Sequence, residues 1–375
     1  PGRRASWLSS IAQRPDGRWR ARYRDEDGKE HAKHFKRKVD AKQWLDEIGA
    51  SQRMGTYVHP SAAKTKLEEL VPAWLAAHSD WTPSTRARNE SIVQRHILPR
   101  WGKRRLCDIR HETIQEWVAS ITLSGGSVRK IVGVLSGILD YAVRAKRLAV
   151  NPAGGVVLPR QNIKPRQYLR ACEVERLAAA AGSYGDVVLT LAYTGLRWGE
   201  MAAVRVSRVD QSRRRLLIEE SVTDVNGVAT WGSPKDRERR SVPYPPFLDD
   251  ALAERLAGKG PEDLVFTAAR GGVLSYRNAR RDWFDRAVEA AGVGPLTPHE
   301  LRHTAASLAV QAGASVLAVQ RMLGHDKPST TLDVYADLFD EDLDEVSRRL
   351  DAVRSGASAD FLRTNVMSVP EERSA

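Results

Sequence analysis

Apolar and basic side chains alternate strictly along residues 18–24, a pattern that predicts a strand with two different faces. One face carries the basic residues Arg18, Arg20, Arg22 and Arg24. The opposite face carries Trp19, Ala21 and Tyr23. The Asp-Glu-Asp-Gly stretch that follows predicts a turn, and Lys29–Phe35 predicts a second strand.

A helix is predicted next, because apolar positions recur at helical spacing after a capping residue. Asp40 is the expected N-cap and Gly49 the expected end. The apolar side of this helix is formed by Ala41, Trp44, Leu45 and Ile48. The stretch Met54–Thr65, with its Gly, Pro, Ser and Lys residues, is typical of a linker.

Helical periodicity dominates the next hundred residues. The predicted helices are Leu67–His78, Pro83–Leu98, His111–Ile121 and Ser127–Arg147. The second of them places basic residues opposite Ile92, Val93 and Ile97. A four-helix, all-α segment is expected, followed by a second linker, NPAGGVVLPRQNIKPRQ, rich in proline and glycine.

The rest of the chain mixes helices with a strand-rich part. Val225-Asn226-Gly227-Val228 is a hairpin-turn signal, and helical patterns return from Tyr276 onward. The predicted fold class is therefore multidomain α+β: a small N-terminal sheet plus helix, an all-α domain, and a mostly helical domain with a small antiparallel sheet. The expected boundaries are residues 1–60, 65–155 and 166–350, with a C-terminal tail at 351–375.

Charge is uneven along the chain. Residues 1–64 and residues 65–160 each carry 15 Lys and Arg against 8 Asp and Glu, whereas residues 161–375 carry 29 against 31. A basic front half indicates a polyanionic partner, with DNA as first candidate and an anionic membrane surface as a weaker one. The arginines of the first strand, together with Arg86 and Arg88, are the candidate DNA contacts; ordinary solvated faces are the alternative.

Two features place the protein inside a cell. Cys107 and Cys172 are far apart without metal-ligand spacing, which favours a reduced protein over a disulfide-bonded one. No apolar run reaches the length of a membrane span, and the first residues lack the apolar core of a signal peptide. A cytoplasmic location is expected.

The stretch HELRH, His299–His303, matches a zinc motif. Arg302 opposes that interpretation, because it lies three residues after His299 and its charge would repel a dication. With no evident third ligand, a site for an anion such as phosphate is the better interpretation, and a zinc hydrolase is a remote alternative.

Other cationic positions lie upstream. YTGLRWGE offers Arg197 after a Thr-Gly turn, with Glu200 placed to hold it. Lys235, on a probable hairpin loop, is the one lysine between Lys164 and Lys259. A lysine can lose its proton whereas arginine cannot, so this lysine is a candidate proton donor, although chance is a serious alternative.

The stretch LGHDKPSTTLDVYADL adds His325 and Tyr335. Tyr335 falls in register with Leu332, Leu338 and Phe339, which favours a core aromatic residue. A tyrosine nucleophile is the alternative, with the leucines seating the helix and the hydroxyl left at its edge.

Taken in order, TGLRWGE, a hairpin lysine, HELRH, LGH and a following tyrosine resemble the catalytic domain of the tyrosine site-specific recombinases, with phage integrases as the nearest branch. The resemblance implies that Tyr335 is the nucleophile, forming a 3′-phosphotyrosine link, and that Arg197 and Arg302 clamp the phosphate. It implies that Lys235 protonates the leaving 5′-oxygen, His299 assists the tyrosine, and His325 binds the phosphate. Glu200 and His303 take supporting roles.

The same resemblance implies an arm-type DNA-binding domain at residues 1–60 and a core-binding domain at 65–155. The implied partners are double-stranded DNA with core-type and arm-type sites, a homotetramer on DNA, a host DNA-bending protein and an excisionase. Neither ATP, nor a metal, nor any other cofactor is required. Binding at two sites gains avidity only if the DNA bends.

Three questions stay open at this level. One alternative function is that of a type IB topoisomerase-like relaxing enzyme, which would use similar chemistry. Another is that of a DNA-binding regulator whose catalytic domain has lost its activity. After Tyr335, a further helix is expected to pack on its own subunit or on a neighbouring one; its apolar positions are Phe339, Leu343, Val346, Leu350 and Val353.

Overall fold

The computed structural model describes residues 9–25, 28–59, 61–161, 166–234 and 239–335, with the short pieces 347–348, 350–351 and 354–355. The chain divides into two compact units, Pro1–Ile163 and Lys164–Ala375. Each unit has a hydrophobic core of its own. Among the helices within these ranges, none has the length and apolarity needed to span a bilayer.

A three-stranded antiparallel sheet opens the first unit. Its strands are β1 (Ser10–Gln13), β2 (Trp19–Arg24) and β3 (Glu30–Phe35), with β2 in the centre. The predicted alternation of β2 is confirmed, because Ala21 and Tyr23 are buried. Helix α1 (Lys38–Arg53) covers this buried face, and the Trp44 ring lies 5.3 Å from the Tyr23 ring.

The bounds predicted for this first helix are wrong at both ends. Asp40 does not cap the helix; it lies in the first turn and accepts hydrogen bonds from Arg37 Nε and Nη2 at 3.0 and 2.6 Å. Gly49 is an interior position, and the helix runs on to Arg53. A glycine ends a helix readily when it adopts the left-handed conformation, which Gly55 does, with φ 69°.

An acidic residue of the neighbouring strand β3 lies on the basic face of β2. Glu30 of the neighbouring strand lies 3.7 Å from Arg20, 3.7 Å from Arg22 and 4.0 Å from Arg24. These pairs are solvent-exposed, so they stabilise the sheet only weakly. The face keeps an excess of positive charge, but one carboxylate holds three of its arginines.

Over its described residues, the remainder of the first unit contains five helices. They are α2 (Leu67–Ala76), α3 (Pro83–Ile92), α4 (Leu98–Trp101), α5 (His111–Ser120) and α6 (Gly125–Arg144). The helix predicted over Pro83–Leu98 widens into a π turn over Val93–Ile97 before α4 begins. Pro99 explains the widening, since its ring obstructs the carbonyl four residues earlier and it has no N–H to donate.

These five helices enclose one apolar core. Trp74, Ile114, Leu135 and Ile138 are among its fully or almost fully buried side chains. Helix α6 supplies the longest apolar side and begins at Ser124, whose hydroxyl caps Ser127 N at 3.3 Å. The all-α domain expected from periodicity is therefore present.

The second unit consists of helices arranged around two small sheets. The helices are α7 (Ala171–Ala180), α8 (Gly185–Thr194), α9 (Trp198–Met201), α10 (Asp249–Leu256), α11 (Tyr276–Ala279), α12 (Asp285–Ala291), α13 (Pro298–Gln311), α14 (Val316–Leu323) and α15 (Pro328–Tyr335). The strands are β4 (Val209–Asp210), β5 (Arg215–Ile218), β6 (Ser221–Val225), β7 (Val228–Gly232) and β8 (Arg240–Pro243).

The sheets are antiparallel, one with strand order β4-β5-β8 and the other the hairpin β6-β7. The predicted hairpin turn is confirmed: Asn226 and Gly227 have φ of 54° and 86°, the positive values that a type I′ turn needs.

Packing between helices brings separate sequence motifs together in this unit. Helix α13 packs along α8, with Leu191 and Leu301 buried in the shared core. Helices α14 and α15 close over the far end of α13 in a smaller cluster of Ala306, Val319, Leu323 and Tyr335. The turn after α8, the HELRH helix and the tyrosine helix are therefore neighbours.

Burial predicts which of two leucines in the first unit matters for stability. Leu135→Ala removes a side chain with 0% exposure, and we expect it to lower the free energy of unfolding by about 2–5 kcal/mol. Leu123→Ala is the matched control: 47% of that residue is exposed, and we expect a change within about 0.5 kcal/mol. Urea unfolding of the full chain measures both. Equal losses would contradict the packing of α6.

Candidate active site

The site begins where α8 ends in a tight turn. Gly195 ends the helix with a left-handed φ of 66°. A Cβ at this position would lie 2.6 Å from Leu323 Cδ2, so glycine lets the end of α8 come close to the end of α14. Arg197 follows two residues later, directly before α9. Its side chain therefore lies at the junction of the two helix ends.

A buried carboxylate holds two arginines at this junction. Glu200 Oε1 accepts from Arg197 Nη1 at 2.9 Å, and Glu200 Oε2 accepts from the Arg197 backbone N–H at 2.9 Å. Arg240 of β8 donates to both carboxylate oxygens, Nη1 to Oε1 at 3.0 Å and Nη2 to Oε2 at 2.6 Å. The pair of Arg197 and Glu200 expected from the sequence is thus in contact, and Arg240 is an additional partner.

The ionisation of Glu200 depends on these arginines. Burial by itself raises the pKa of Glu200, but hydrogen bonding and charge attraction from Arg240 and Arg197 outweigh it and hold the pKa below its ordinary value. Since the Glu200 side chain is fully buried, an unpaired charge there would be strongly destabilising. Loss of either arginine therefore threatens the position of the other.

Arg302 ties the ends of two helices together. Its Nη1 donates to the Gly195 carbonyl at 2.5 Å and its Nη2 donates to the Leu323 carbonyl at 2.6 Å. Burial, followed by repulsion from Arg197, lowers the pKa of Arg302 to about 10, so the guanidinium stays charged at neutral pH. These two carbonyls use two of the five N–H groups of a guanidinium.

The end of α14 also contacts Arg240. Gly324 has a left-handed φ of 66°, and a Cβ there would lie 2.9 Å from Cδ, Nε and Cζ of Arg240. The Arg240 Nε lies 3.4 Å from the Met322 carbonyl, to which it donates. Arg240 therefore contacts both Glu200, which holds Arg197, and the end of α14 that carries the LGH motif.

Tyr335 lies against the HELRH helix. Its hydroxyl is 2.8 Å from His303 Nδ1, and the two rings are 5.6 Å apart. Burial raises the pKa of Tyr335 to about 12, although the charge of Arg302 acts in the opposite direction. Burial and repulsion from His299 and Arg166 lower the pKa of His303 to about 4. A neutral phenol therefore faces a neutral imidazole.

The position of Tyr335 corrects two expectations. Tyr335 is 1% exposed whereas Leu332 is 44% exposed, so the two residues do not share a buried face. The hydroxyl is also enclosed instead of lying at an edge. Leu338 and Phe339, the other residues expected on that face, lie outside the described residues.

The other two histidines flank this group. His299 is exposed in the first turn of α13, with its ring 5.0 Å from that of His303. His325 follows α14, where its Nδ1 lies 2.9 Å from the Thr331 hydroxyl and its ring stacks 6.4 Å from Tyr335. Tyr335 is therefore bordered by the imidazoles of His303 and His325, which come from two separate motifs, and His299 lies next to His303.

The HELRH histidines do not form a metal site with their described neighbours. Among the described residues, neither His299 nor His303 belongs to a cluster of three His, Cys, Asp or Glu side chains close enough to share an ion. The Nδ1 atom of His303 faces the Tyr335 hydroxyl.

One sequence candidate, Lys235, lies outside the described residues. Two others have their side chains in local contacts: Arg86 donates to the Leu75 and His78 carbonyls at 3.3 and 2.8 Å, and Arg88 Nε donates to Asn89 Oδ1 at 3.3 Å. Arg86 therefore fixes the connection between α2 and α3. Its side chain is thus more than part of a solvated basic face.

Sequence reasoning missed three residues of this neighbourhood. Arg240 was visible only as part of the run RERR, and nothing in that run distinguishes it from Arg239. Arg166 and Tyr168 precede the first motif, yet both act electrostatically on Tyr335. Their proximity follows from the path of the chain before α7, which no local pattern reveals.

The assembled group has the parts needed for phosphoryl chemistry. Arg197, Arg240, Glu200 and the Tyr335 hydroxyl all act electrostatically on Arg302. Guanidinium groups bind phosphate oxygens through paired N–H donors, and a nearby imidazole can move a proton. A tyrosine oxygen beside these groups is a potential nucleophile toward a phosphate.

The chain is similar in sequence to known protein families along most of its length. Three family descriptions match successive segments: Phage integrase, N-terminal domain at 9–53; Phage integrase, N-terminal SAM-like domain at 66–121; and Phage integrase family at 167–342. The integrase of Mycobacterium phage D29 is 26% identical over 371 residues, 93% of this chain and 97% of that protein. Tyrosine recombinase XerC of Anoxybacillus flavithermus is 30% identical over 224 residues, 56% of this chain and 70% of that protein.

Solved structures share the fold. The Tn1549 transposon integrase in complex with transposon right end DNA aligns with a TM-score of 0.63 at 18% identity, covering 76% of this chain and 100% of that one. A lambda integrase tetramer bound to a Holliday junction aligns with a TM-score of 0.59 at 19% identity, covering 85% and 96%. At these identities the likeness concerns the fold alone.

The buried His303 predicts a measurable pH dependence. Its pKa of about 4 is below the ordinary value of about 6.5, so the unfolded chain takes up this proton first as the pH falls. The free energy of unfolding should therefore decrease between about pH 6.5 and pH 4. NMR titration of labelled histidines, with His303→Asn for assignment, should show a midpoint near 4. A midpoint near 6.5 would contradict the burial of the ring.

Proposed function

The chain belongs to the phage integrase family of tyrosine recombinases, and from that membership we propose how its residues cut and rejoin DNA. The protein is a site-specific recombinase. The proposal rests mainly on one observation: the Tyr335 hydroxyl lies 2.8 Å from His303 and within the electrostatic influence of the buried Arg302.

We assign the nucleophile to Tyr335. Its oxygen attacks the phosphorus of a DNA phosphodiester, and a new P–O bond to tyrosine forms as the bond to the 5′-oxygen breaks. The 5′-oxygen leaves as a hydroxyl, with Lys235 as the proposed proton donor. A 5′-hydroxyl from the exchanging strand then attacks the phosphotyrosine and releases Tyr335. Because one phosphoester replaces another at each step, the reaction needs no ATP.

The phosphate clamp is assigned to Arg197 and Arg302. Arg197 is oriented by Glu200, and Arg302 keeps N–H groups beyond the two that bind carbonyls. Charged donors fixed before the reaction stabilise the additional negative charge of the pentacoordinate transition state. His325, on the other side of Tyr335, completes the set as a donor to the same phosphate.

Proton transfer from Tyr335 is assigned first to His303, which already touches the hydroxyl, with His299 one turn earlier as the next partner. In the DNA-free chain the phenol is protonated and buried, a resting state with a weak nucleophile. A phosphate placed beside the two imidazoles adds negative charge, which raises their basicity. DNA binding also has to give the Tyr335 oxygen access to that phosphate.

Two segments of the chain are proposed to bind different DNA sites, on the basis of their charge and their secondary structure. We propose that residues 1–60 hold an arm-type site and residues 65–155 a core-type site, joined through the linker at 54–65. Four protomers assemble on two duplexes, a host DNA-bending protein brings the sites together, and an excisionase sets the direction. Such a substrate places the protein in the bacterial cytoplasm, at the nucleoid. The excess of basic residues in both front segments supports DNA binding by each of them.

A covalent-trapping experiment tests the nucleophile. The full chain is mixed, in EDTA, with a nicked suicide duplex carrying the core site from the attachment region beside its gene. We expect a protein–DNA adduct on denaturing gels, and its loss in Tyr335→Phe because the phenol oxygen that bonds to phosphorus is absent. Tyr276→Phe, at a partly exposed position on α11, is the matched control and should keep the adduct.

Two results would count against the assignment. An adduct that persists in Tyr335→Phe places the nucleophile elsewhere. Relaxation of a supercoiled plasmid without any core site, at the rate seen with one, would instead favour a topoisomerase-like enzyme.

A further inference from the structure

A cavity of about 300 Å³ lies among α2, α3 and α6, in the compact unit that does not contain Tyr335. Aromatic rings form one part of its wall, and cationic and amide groups form another. Among the residues described, no Asp or Glu lines it. Cavities of this size, with mostly apolar walls and a few polar groups, are typical of small-ligand sites. This lining is complementary to a ligand that is aromatic and carries negative charge.

Three rings make up the aromatic part of the wall. The rings of His78 and Trp81 stack with their centroids 4.2 Å apart, and the Trp74 ring meets them edge-on at 5.2 and 5.1 Å. His78 Nδ1 donates to the Trp74 carbonyl at 2.8 Å, which leaves Nε2 of the neutral ring as an acceptor. Trp81 is partly exposed, so part of its ring surface is open to a ligand.

Arg88, Asn89 and Lys130 supply the polar part of the wall. Arg88 and Lys130 are exposed, and in the described part of the chain neither is paired with an acid. Asn89 is 7% exposed, and its Oδ1 accepts from Arg88 Nε at 3.3 Å. Its Nδ2 has no hydrogen-bond partner among the described residues and is not fully covered by protein atoms. The wall therefore offers two cations and one amide donor to a ligand.

Two glycines of α6 keep the cavity open. Gly133 and Gly137 lie about one helical turn apart, and both line it. A Cβ at Gly133 would meet nothing within 4 Å, and one at Gly137 would make an ordinary contact with Trp74 at 3.7 Å. A helix interior disfavours glycine relative to alanine. Packing therefore does not explain these two glycines, whereas an open cavity does.

We propose that this cavity binds one nucleotide unit, with its base against the aromatic wall and its phosphate held by Arg88 and Lys130. Base edges carry both donors and acceptors, which His78 Nε2 and Asn89 Nδ2 complement. Stacking on an aromatic side chain is available to every base, because each base has a π face. The site therefore recognises nucleotides as a class and takes no part in DNA cleavage.

Two sources can supply such a nucleotide. One is a free nucleotide. The other is an unpaired nucleotide of DNA, and this source rests on the proposed function, since a strand that leaves one duplex for another has unpaired bases during the transfer. A paired base is stacked on its neighbours within the duplex, so the cavity discriminates against it.

Binding of a free nucleotide to the full chain tests the site itself. In equilibrium dialysis we expect saturable binding of dAMP, and weaker binding of deoxyadenosine, which lacks the phosphate. Trp81→Leu should weaken dAMP binding by about 5- to 150-fold, the loss of one base–aromatic stack. Lys130→Gln should reduce the advantage of dAMP over deoxyadenosine. Lys103→Gln, at an exposed lysine of the same unit, is the matched control and should leave that advantage unchanged.

Filling the cavity separates ligand binding from folding. Gly133→Leu places a side chain in the open space and replaces a poor helix former. We therefore expect it to lose dAMP binding while its urea unfolding midpoint stays the same or rises. Gly49→Leu, in the interior of α1, is the matched control and should keep dAMP binding.

A pair of duplexes identifies the source of the nucleotide. Fluorescence anisotropy compares a core-site duplex that carries one bulged nucleotide with the same duplex fully paired. If DNA is the source, the full chain binds the bulged duplex more tightly, and Gly133→Leu loses this preference. Equal binding of the two duplexes, together with dAMP binding that Gly133→Leu abolishes, assigns the site to free nucleotides.

Two outcomes would overturn the proposal. One is the absence of both dAMP binding and a preference for the bulged duplex. The other is binding that both Trp81→Leu and Gly133→Leu retain. None of these measurements involves cleavage, so Tyr335→Phe should behave as the wild type does. A failure here is therefore distinct from a failure of the covalent-trapping experiment.

Discussion

The buried carboxylate of Glu200 is the constraint around which the second unit is organised. It accepts hydrogen bonds from Arg197 and Arg240, which come from the turn after α8 and from the small sheet. Burying one acid is costly unless cations meet it, so the turn, the sheet and the end of α14 have to be assembled together. Gly195 and Gly324 permit the close approach on which that assembly depends.

Arg302 extends the same network to the tyrosine. Its guanidinium binds the carbonyl of Gly195 at one helix end and that of Leu323 at another, which fixes α8, α13 and α14 relative to one another. Helix α15 packs against this frame and places Tyr335 on His303. Structural and chemical roles are therefore combined in the same arginines, because the groups that would bind a phosphate also hold the frame together.

Much of this arrangement follows from the sequence, and the exceptions have physical reasons. Strand alternation, helical periodicity and the Asn-Gly turn are local signals, and they predicted the elements well. The order of TGLRWGE, HELRH, LGH and tyrosine indicated one site, because it resembles the catalytic domain of the tyrosine recombinases. Arg240 was not predicted, since its partner Glu200 is 40 residues away and the contact depends on sheet pairing. Glu30 was missed opposite the β2 arginines for the same reason.

Burial of the tyrosine was beyond local prediction as well. Residues three apart on a helix can face different surroundings, as Leu332 and Tyr335 do, and the difference is set by α13 and α14 rather than by α15 itself. The predicted bounds of α1 were wrong for a different reason. Asp40 and Gly49 have the residue types of a cap and a stop, but the chain used Arg37 and Gly55 at those places.

A double-mutant cycle on Glu200 and Arg240 tests the central claim most directly. The rate of adduct formation on the suicide duplex is measured for Glu200→Gln, Arg240→Gln and the double variant. If the two side chains act as one unit, the double variant loses little more than the worse single variant, with a coupling of about 0.5–3 kcal/mol. If the rate decrease of the double variant equals the product of the two single-variant decreases, the claim that this buried charge network positions the catalytic arginines is contradicted.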